Sequence, residues 1–267
     1  MSVLKIRKLS VSIGGHTVVD SVDLDVGRGE RVGLLGESGS GKSLTCMATL
    51  GLLPATARAT GSVRLVGEEI LGSNDRRMRA LRGAELGCVF QEPQSALDPL
   101  ARIGDQLTST LRARARLSRH RRHELAVALA ARVGLPDPER IVRRFPHELS
   151  GGQRQRVVVA MATAAAPALV LADEPTTALD VTVQAHILEL LGGRVAETGA
   201  ALLLVTHDIA VAATTCDRLV VMRGGRVVEQ GSTHDLLRRP AHPYTRALID
   251  AAYATTYTRP IVLAATA

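Results

Sequence analysis

Apolar and polar positions along the chain change period several times, and each change predicts an element. Near the start, "SVDLDV" (Ser21–Val26) and "SVRLV" (Ser62–Val66) alternate with period two between glycines, which predicts strands. "RVGLLG" is a short apolar run that leads straight into "GESGSGKS", and "KSLTCMATLGLL" after it is helix-like, giving strand, glycine loop, helix. From about Ser95 to Ala165 the pattern becomes helical and arginine-rich, broken at "GLPDP" and "FPHELSGG". Strands and helices alternate again from Ala168: an apolar strand "ALVLAD", a helix over Val183–Ala196, and an apolar strand "ALLLVTH". A short helix, strands "RLVVM" and "RVVEQG", and a closing helix complete the chain. This alternation predicts an α/β fold with a mostly parallel core sheet, the middle block being a helical insertion. Neither an internal repeat nor a low-complexity linker divides it.

At 46% hydrophobic, 267 residues can bury a sizeable core. The longest near-continuous apolar run, Val157 to Ala172, is about 16 residues and contains Pro167, so it predicts a buried helix followed by a strand rather than a membrane span. "MSVLKIRKLSVSI" carries charges inside its apolar stretch and has no cleavage pattern, unlike a signal peptide. Cys46, Cys88 and Cys216 are odd in number and widely spaced, which fits neither a disulfide framework nor a zinc site and points to a reducing cytoplasm. A net charge of +7 invites a nucleic-acid or anionic-membrane partner. Much of the excess, however, sits in "RARARLSRHRRHE" (Arg112–Glu124), which reads as a solvated helix face. Aromatic residues that could stack on bases number five: Phe90, Phe145, Tyr244, Tyr253 and Tyr257.

The chemistry begins in "GESGSGKS". Gly36, Gly39 and Gly41 allow backbone angles other residues resist, so that N–H groups along Gly36, Glu37, Ser38, Gly39, Ser40, Gly41, Lys42, Ser43 and Leu44 can turn toward phosphate oxygens. The spacing is a complete Walker A match, in which Lys42 would reach the terminal phosphates and Ser43 would ligate Mg²⁺. Such a loop needs a carboxylate on a neighbouring strand, and "LVLADEP" offers Asp173 for the metal and Glu174 to polarise an attacking water. The expected ligand is therefore a nucleoside triphosphate with Mg²⁺, and its hydrolysis the expected reaction.

"LSGGQRQR" (Leu149–Arg156) resembles the signature motif of ATP-binding cassette (ABC) proteins. The remaining motifs follow in order: Gln91 in "VFQEP" resembles the Q-loop glutamine, also a metal-ligand candidate, Asp180 in "TTALD" the D-loop aspartate, and His207 in "LLLVTHD" the switch histidine. The resemblance runs from about Val3 to Asp250. It implies a P-loop NTPase fold of ABC type, with an antiparallel β subdomain, a mostly parallel core sheet and a helical insertion at about 95–165 within a domain over 1–250. It also implies a head-to-tail dimer in which Ser150, Gly151, Gly152 and Gln153 of one subunit cap the nucleotide on the other. "HPYTRALI" (His242–Ile249), in a C-terminal extension over 232–267, resembles the tail of cassettes serving peptide and nickel importers. Implied partners are a second, related cassette, two integral membrane permease subunits and an extracytoplasmic substrate-binding protein. The implied location is the cytoplasmic face of the membrane, with no nucleic acid expected.

Two departures stand out. The family places an aromatic residue before the phosphate-loop strand to stack on adenine, but no Phe, Tyr or Trp precedes Phe90. Ile13 falls at about that position with His16 nearby, and loss of a stacking contact worth about 1–3 kcal/mol predicts weak or poorly selective ATP binding. The tail also has no cysteine, so no iron–sulfur site is predicted. Two other classes compete: a cassette acting on nucleic acid or ribosomes, and a small-molecule kinase. The first would be signalled by a long coiled coil or a second cassette, and neither is present. The second leaves the signature motif and His207 without a role.

Overall fold

The computed structural model describes residues 2–176 and 180–256. Strands β1 (Ser2–Ile13) and β2 (His16–Gly27) form a hairpin closed by Gly14 and Gly15, both at positive φ, as a two-residue turn between twisted strands requires. Next come β3 (Arg31–Leu35), α1 (Lys42–Leu50), β4 (Ala57–Leu65), β5 (Glu68–Glu69), α2 (Asp75–Arg82) and β6 (Leu86–Val89). A helical stretch follows, with α3 (Pro93–Ala96), α4 (Ile103–Leu107), α5 (Ser109–Arg114), α6 (Arg119–Arg132), α7 (Pro138–Ile141) and α8 (Gly151–Thr163). The chain returns through β7 (Leu169–Asp173), α9 (Val181–Thr198), β8 (Ala201–Thr206), α10 (Ile209–Thr215), β9 (Arg218–Arg223), β10 (Arg226–Ser232), α11 (Thr233–Arg238) and α12 (Pro243–Thr256).

The strands form two sheets: an antiparallel one in the order β2-β1-β4-β5, and a six-stranded one in the order β10-β9-β3-β8-β7-β6, parallel except for β10. The parallel sheet is covered on both faces, which is why "ALLLV" of β8 is apolar throughout. Leu202 and Leu204 face one core, shared with the helices of the insertion and α9, while Ala201, Leu203 and Val205 face the other, shared with the antiparallel sheet. The predicted antiparallel subdomain, mostly parallel core and intervening helices are all present. The apolar run at Val157–Ala172 divides into α8 and β7, as its Pro167 implied.

The first strand was hidden by a change of parity. Leu4 and Ile6 are buried, then Leu9 and Val11, so the inward set shifts by one residue. A bulge at Arg7–Lys8 absorbs the step: the register slips there against both neighbours, and Lys8 takes φ 46°. The basic stretch lies on α5 and α6, where Arg112 faces Asp105, and Arg121 and His120 both meet Glu124, as a solvated helix face does. Cys46 and Cys216 are buried and Cys88 half-buried, all unbridged. Burial pushes the Cys216 thiol up to about 12. Among the described residues no helix is long and apolar enough to cross a membrane.

Candidate nucleotide site

The candidate residues collect at the carboxyl ends of the parallel strands, where open α/β sheets bind ligands. Leu35, last in β3, pairs with Thr206 on β8, and Asp173 on β7 pairs with Val205, so the phosphate loop, the acidic pair and His207 leave the sheet at one level. Gln91 follows β6, whose Val89 pairs with Ala172, and lies exposed at the same edge.

The loop is shaped by contacts that exclude side chains. A Cβ on Gly36, at φ 152°, would stand 2.3 Å from the Met222 carbonyl oxygen. On Gly41, at φ 98°, it would press at 3.1 Å on both the Val18 carbonyl and the Val19 side chain. Gly41 caps α1 without a side chain, so the first-turn N–H groups of Lys42, Ser43 and Leu44 meet no capping oxygen. Those donors at a helix N-terminus form an anion-binding surface. Lys42 is buried, its ammonium donating to the carbonyls of Gly36 at 2.7 Å and Glu37 at 2.8 Å. Desolvation lowers its pKa, a shift opposed by the charges of Glu174 and Asp173.

Ser43 Oγ donates to Asp173 Oδ1 at 3.3 Å. Burial, with a smaller push from the Glu174 charge, raises the Asp173 pKa against the pull of Ser43 and Lys42. A hydroxyl beside a carboxylate is a hard-oxygen donor set that suits Mg²⁺ whose other ligands are phosphate oxygens and water. Among the described residues no group of three or more His, Cys, Asp or Glu could hold a metal ion. Glu174 sits at φ 46°, a left-handed conformation rare for a residue with a side chain and typical of functional sites. Its carboxylate Oε1 lies 3.1 Å from Nδ1 of the exposed His207.

The signature motif starts a helix. Ser150 caps α8, its hydroxyl accepting from the Gln153 N–H, while Gln153 Oε1 accepts from the Ser150 N–H. Gly151 and Gly152 form the first turn, and a Cβ on Gly152 would meet Val183 of α9 at 3.0 Å. Asp180 caps α9 by accepting from the Val183 N–H at 2.9 Å. Thr177, Ala178 and Leu179 of "TTALD" lie outside the described residues. Ile13 is half-buried at the tip of the β1–β2 hairpin, paired with the exposed His16, on the strand whose Val18 and Val19 back Gly41.

Two links escaped sequence reasoning. The fully buried Gln155 donates from Nε2 to the Pro175 carbonyl at 2.5 Å, tying the signature helix to the segment that carries Glu174. Tyr244, in the tail motif, accepts at its hydroxyl from the N–H of Glu37 in the phosphate loop. Nothing in the local pattern signals a contact across 207 positions.

Comparison with known proteins identifies the family. Residues 19–177 match the ABC transporter family, and residues 228–260 match the C-terminal region of oligopeptide/dipeptide transporters. The chain is 40% identical over 254 residues to the oligopeptide transport ATP-binding protein OppD of Escherichia coli (strain K12), covering 94% of this chain and 75% of that one. It is 49% identical over 234 residues to OppD of Mycobacterium tuberculosis, covering 87% of this chain and 38% of that longer protein. Among solved structures, the ATP-binding cassette MJ0796, a dimer in a post-hydrolysis state bound to ADP and Pi, superposes with a TM-score of 0.75 at 30% identity, over 86% of this chain and 98% of that one. The cbiO1 protein of Clostridium perfringens, part of the transporter complex cbiONQ, superposes at 0.76 with 25% identity, over 97% and 95%. The chain belongs to the ABC transporter family, as an ATP-hydrolysing subunit of its dipeptide and oligopeptide importer branch.

Proposed function

We propose that this ATPase powers import of peptides through two integral membrane permease subunits, pairing head-to-tail with a second, related cassette at the cytoplasmic face of the membrane. An extracytoplasmic binding protein would select the cargo, with nickel the other cargo class served by cassettes with this tail. The observation that carries the proposal is one chain holding both a phosphate loop and an outward-facing signature-helix start. Ser150, Gly151 and Gly152 offer a hydroxyl and uncommitted first-turn donors, a second phosphate-binding surface that the nucleotide of a partner cassette would use.

In the roles we assign, Lys42 and the N–H groups from Ser38 to Leu44 would hold the β- and γ-phosphates, while Ser43, Asp173 and Gln91 would hold Mg²⁺, which would supply charge neutralisation at the phosphates. Glu174 would accept a proton from the attacking water, and His207, 3.1 Å from it, would contact the γ-phosphate. Asp180 orders the start of α9 next to the partner's site. Residues 1–250 form the ATPase domain with its helical insertion at about 95–165, and 232–267 form the C-terminal extension, of which 257–267 lie outside the described residues. In the competing nucleic-acid role the basic stretch would be the contact, but two of its arginines, Arg112 and Arg121, pair with Asp105 and Glu124 of the chain itself.

Affinity purification from native membranes, with ATPase assay and identification of bound proteins, tests the proposal. Two membrane proteins and a second cassette are expected. Recovery of ribosomes or nucleic acid in their place would overturn it.

A further inference from the structure

The tail motif "HPYT" marks the branch, yet the nucleotide chemistry gives it no task. Its geometry does. Glu229 of β10 accepts from the N–H groups of Ala241 at 2.8 Å and His242 at 3.0 Å, and His242 Nδ1 accepts from the Tyr244 N–H at 3.1 Å. These bonds fix the start of α12 and turn Tyr244 inward, where only 6% of it is exposed. The Arg223 guanidinium lies over its ring, 4.9 Å from the centroid, and its hydroxyl accepts from the Glu37 N–H at 3.0 Å.

The Glu37 N–H belongs to the same planar peptide as the Gly36 carbonyl, which accepts from Lys42 Nζ. One rigid unit therefore has the phosphate-binding lysine on its oxygen and Tyr244 on its nitrogen. The far side of the loop is held by the β9–β10 turn, where the Gly225 N–H donates to the Ser40 carbonyl at 3.2 Å. Burial, and the Glu37 charge facing it, push the Tyr244 pKa up, so the hydroxyl keeps its proton.

We propose that Tyr244 is a positioning residue for the nucleotide: its hydroxyl fixes the Gly36–Glu37 peptide, and through it Lys42, so that ATP affinity depends on this one hydrogen bond from the C-terminal helix. The inference rests on ATP binding at this loop. Its physical content is a population effect, since a loop held in its binding-competent form loses less on taking up ligand than one that samples others.

The test compares the full chain with Tyr244→Phe and with Ile249→Val, a change in the buried face of the same helix. ATP affinity in Mg²⁺, thermal midpoint and amide exchange at Glu37 are measured. Tyr244→Phe keeps the ring and removes one hydrogen bond, so ATP should bind about 2- to 10-fold more weakly and the Glu37 amide should exchange faster. Ile249→Val should lower the thermal midpoint while leaving ATP affinity unchanged. Wild-type affinity in Tyr244→Phe, or an equal loss of affinity in Ile249→Val, would overturn the positioning role. Should Tyr244→Phe not fold, exchange in the wild-type chain decides. Protection of Glu37 well above Gly39, whose N–H makes no backbone hydrogen bond among the described residues, supports the link, and equal exchange refutes it. A wild-type chain that binds no ATP would sink the nucleotide assignment itself, a result distinct from either.

Discussion

Replacing Gly36 with alanine should cripple the site, while the same change at Gly39, three residues on, should be mild. Both glycines have φ in the range that disfavours side chains, 152° and 80°. That conformational cost is about 1–2 kcal/mol for alanine. They differ in what the new methyl meets. At Gly39 nothing lies within 4 Å, whereas at Gly36 the methyl stands 2.3 Å from the Met222 carbonyl oxygen and 2.7 Å from Ser40 Oγ. Met222 is in β9, paired to β3 on one side and β10 on the other, so its carbonyl cannot retreat. The loop must move instead, by at least ~0.7 Å, which adds an overpacking cost of about 1–3 kcal/mol. The total for Gly36→Ala is then about 2–5 kcal/mol, a fall in thermal midpoint of roughly 4–20 °C for a domain of this size, against about 2–8 °C for Gly39→Ala. Because the forced shift carries the peptide that holds Lys42, ATP affinity should fall steeply in the first variant and little in the second. Melting curves and ATP titrations on both proteins supply the check. Equal losses would refute the steric argument, leaving backbone strain as the whole cost.

Glu174→Gln should slow ATP hydrolysis by about 100-fold or more while ATP still binds, and full turnover in a steady-state assay would remove Glu174 from the role of base. Asp173→Asn should raise the thermal midpoint at pH 7. Burial holds the folded-state pKa of Asp173 above the usual carboxylate range, so its relative stabilisation is complete below the unfolded value and is lost as pH rises through the folded pKa. The gain should accordingly shrink toward acid pH, and destabilisation at pH 7 would contradict the sign. Ile13→Tyr should tighten ATP binding by about 1–3 kcal/mol and improve selection of ATP over GTP, both read by titration. Unchanged affinity would show that the hairpin tip does not lie against the base.

The strand–loop–helix order around "GESGSGKS" and the apolar runs ending at Asp173 and Thr206 were legible because each is local: apolar run, glycines, then a charged residue where the strand leaves the sheet. The ordered motifs then named a fold that the topology matches. β1 was not legible, since the bulge at Arg7–Lys8 flips its inward set and leaves no unbroken alternation for period analysis to find. Gln155 and Tyr244 were opaque for a different reason. The pairings Gln155–Pro175 and Tyr244–Glu37 join segments whose proximity exists only after the parallel sheet has formed. A spacing argument reads along the chain, and these bonds run across it.

Those cross-chain bonds also explain how a site that is costly to build stays in shape. Lys42 and Asp173 carry charges that burial disfavours, and Glu174 holds a backbone angle that costs of order 1–3 kcal/mol. Left to local forces, a loop carrying such groups would relax, with Lys42 swinging to solvent. Each strained group is instead held by an element remote in sequence: Lys42 through the peptide that Tyr244 engages, and Glu174 by its N–H to the Val205 carbonyl at 2.9 Å, with Gln155 donating to the carbonyl of the next residue, Pro175. The bound groups are therefore positioned before any phosphate arrives, and the binding energy of the nucleotide is not consumed in ordering them. Because the supports are single bonds from α8 and α12, loss of the Gln155 or the Tyr244 bond reaches the Glu174 segment or the phosphate loop without touching the nucleotide.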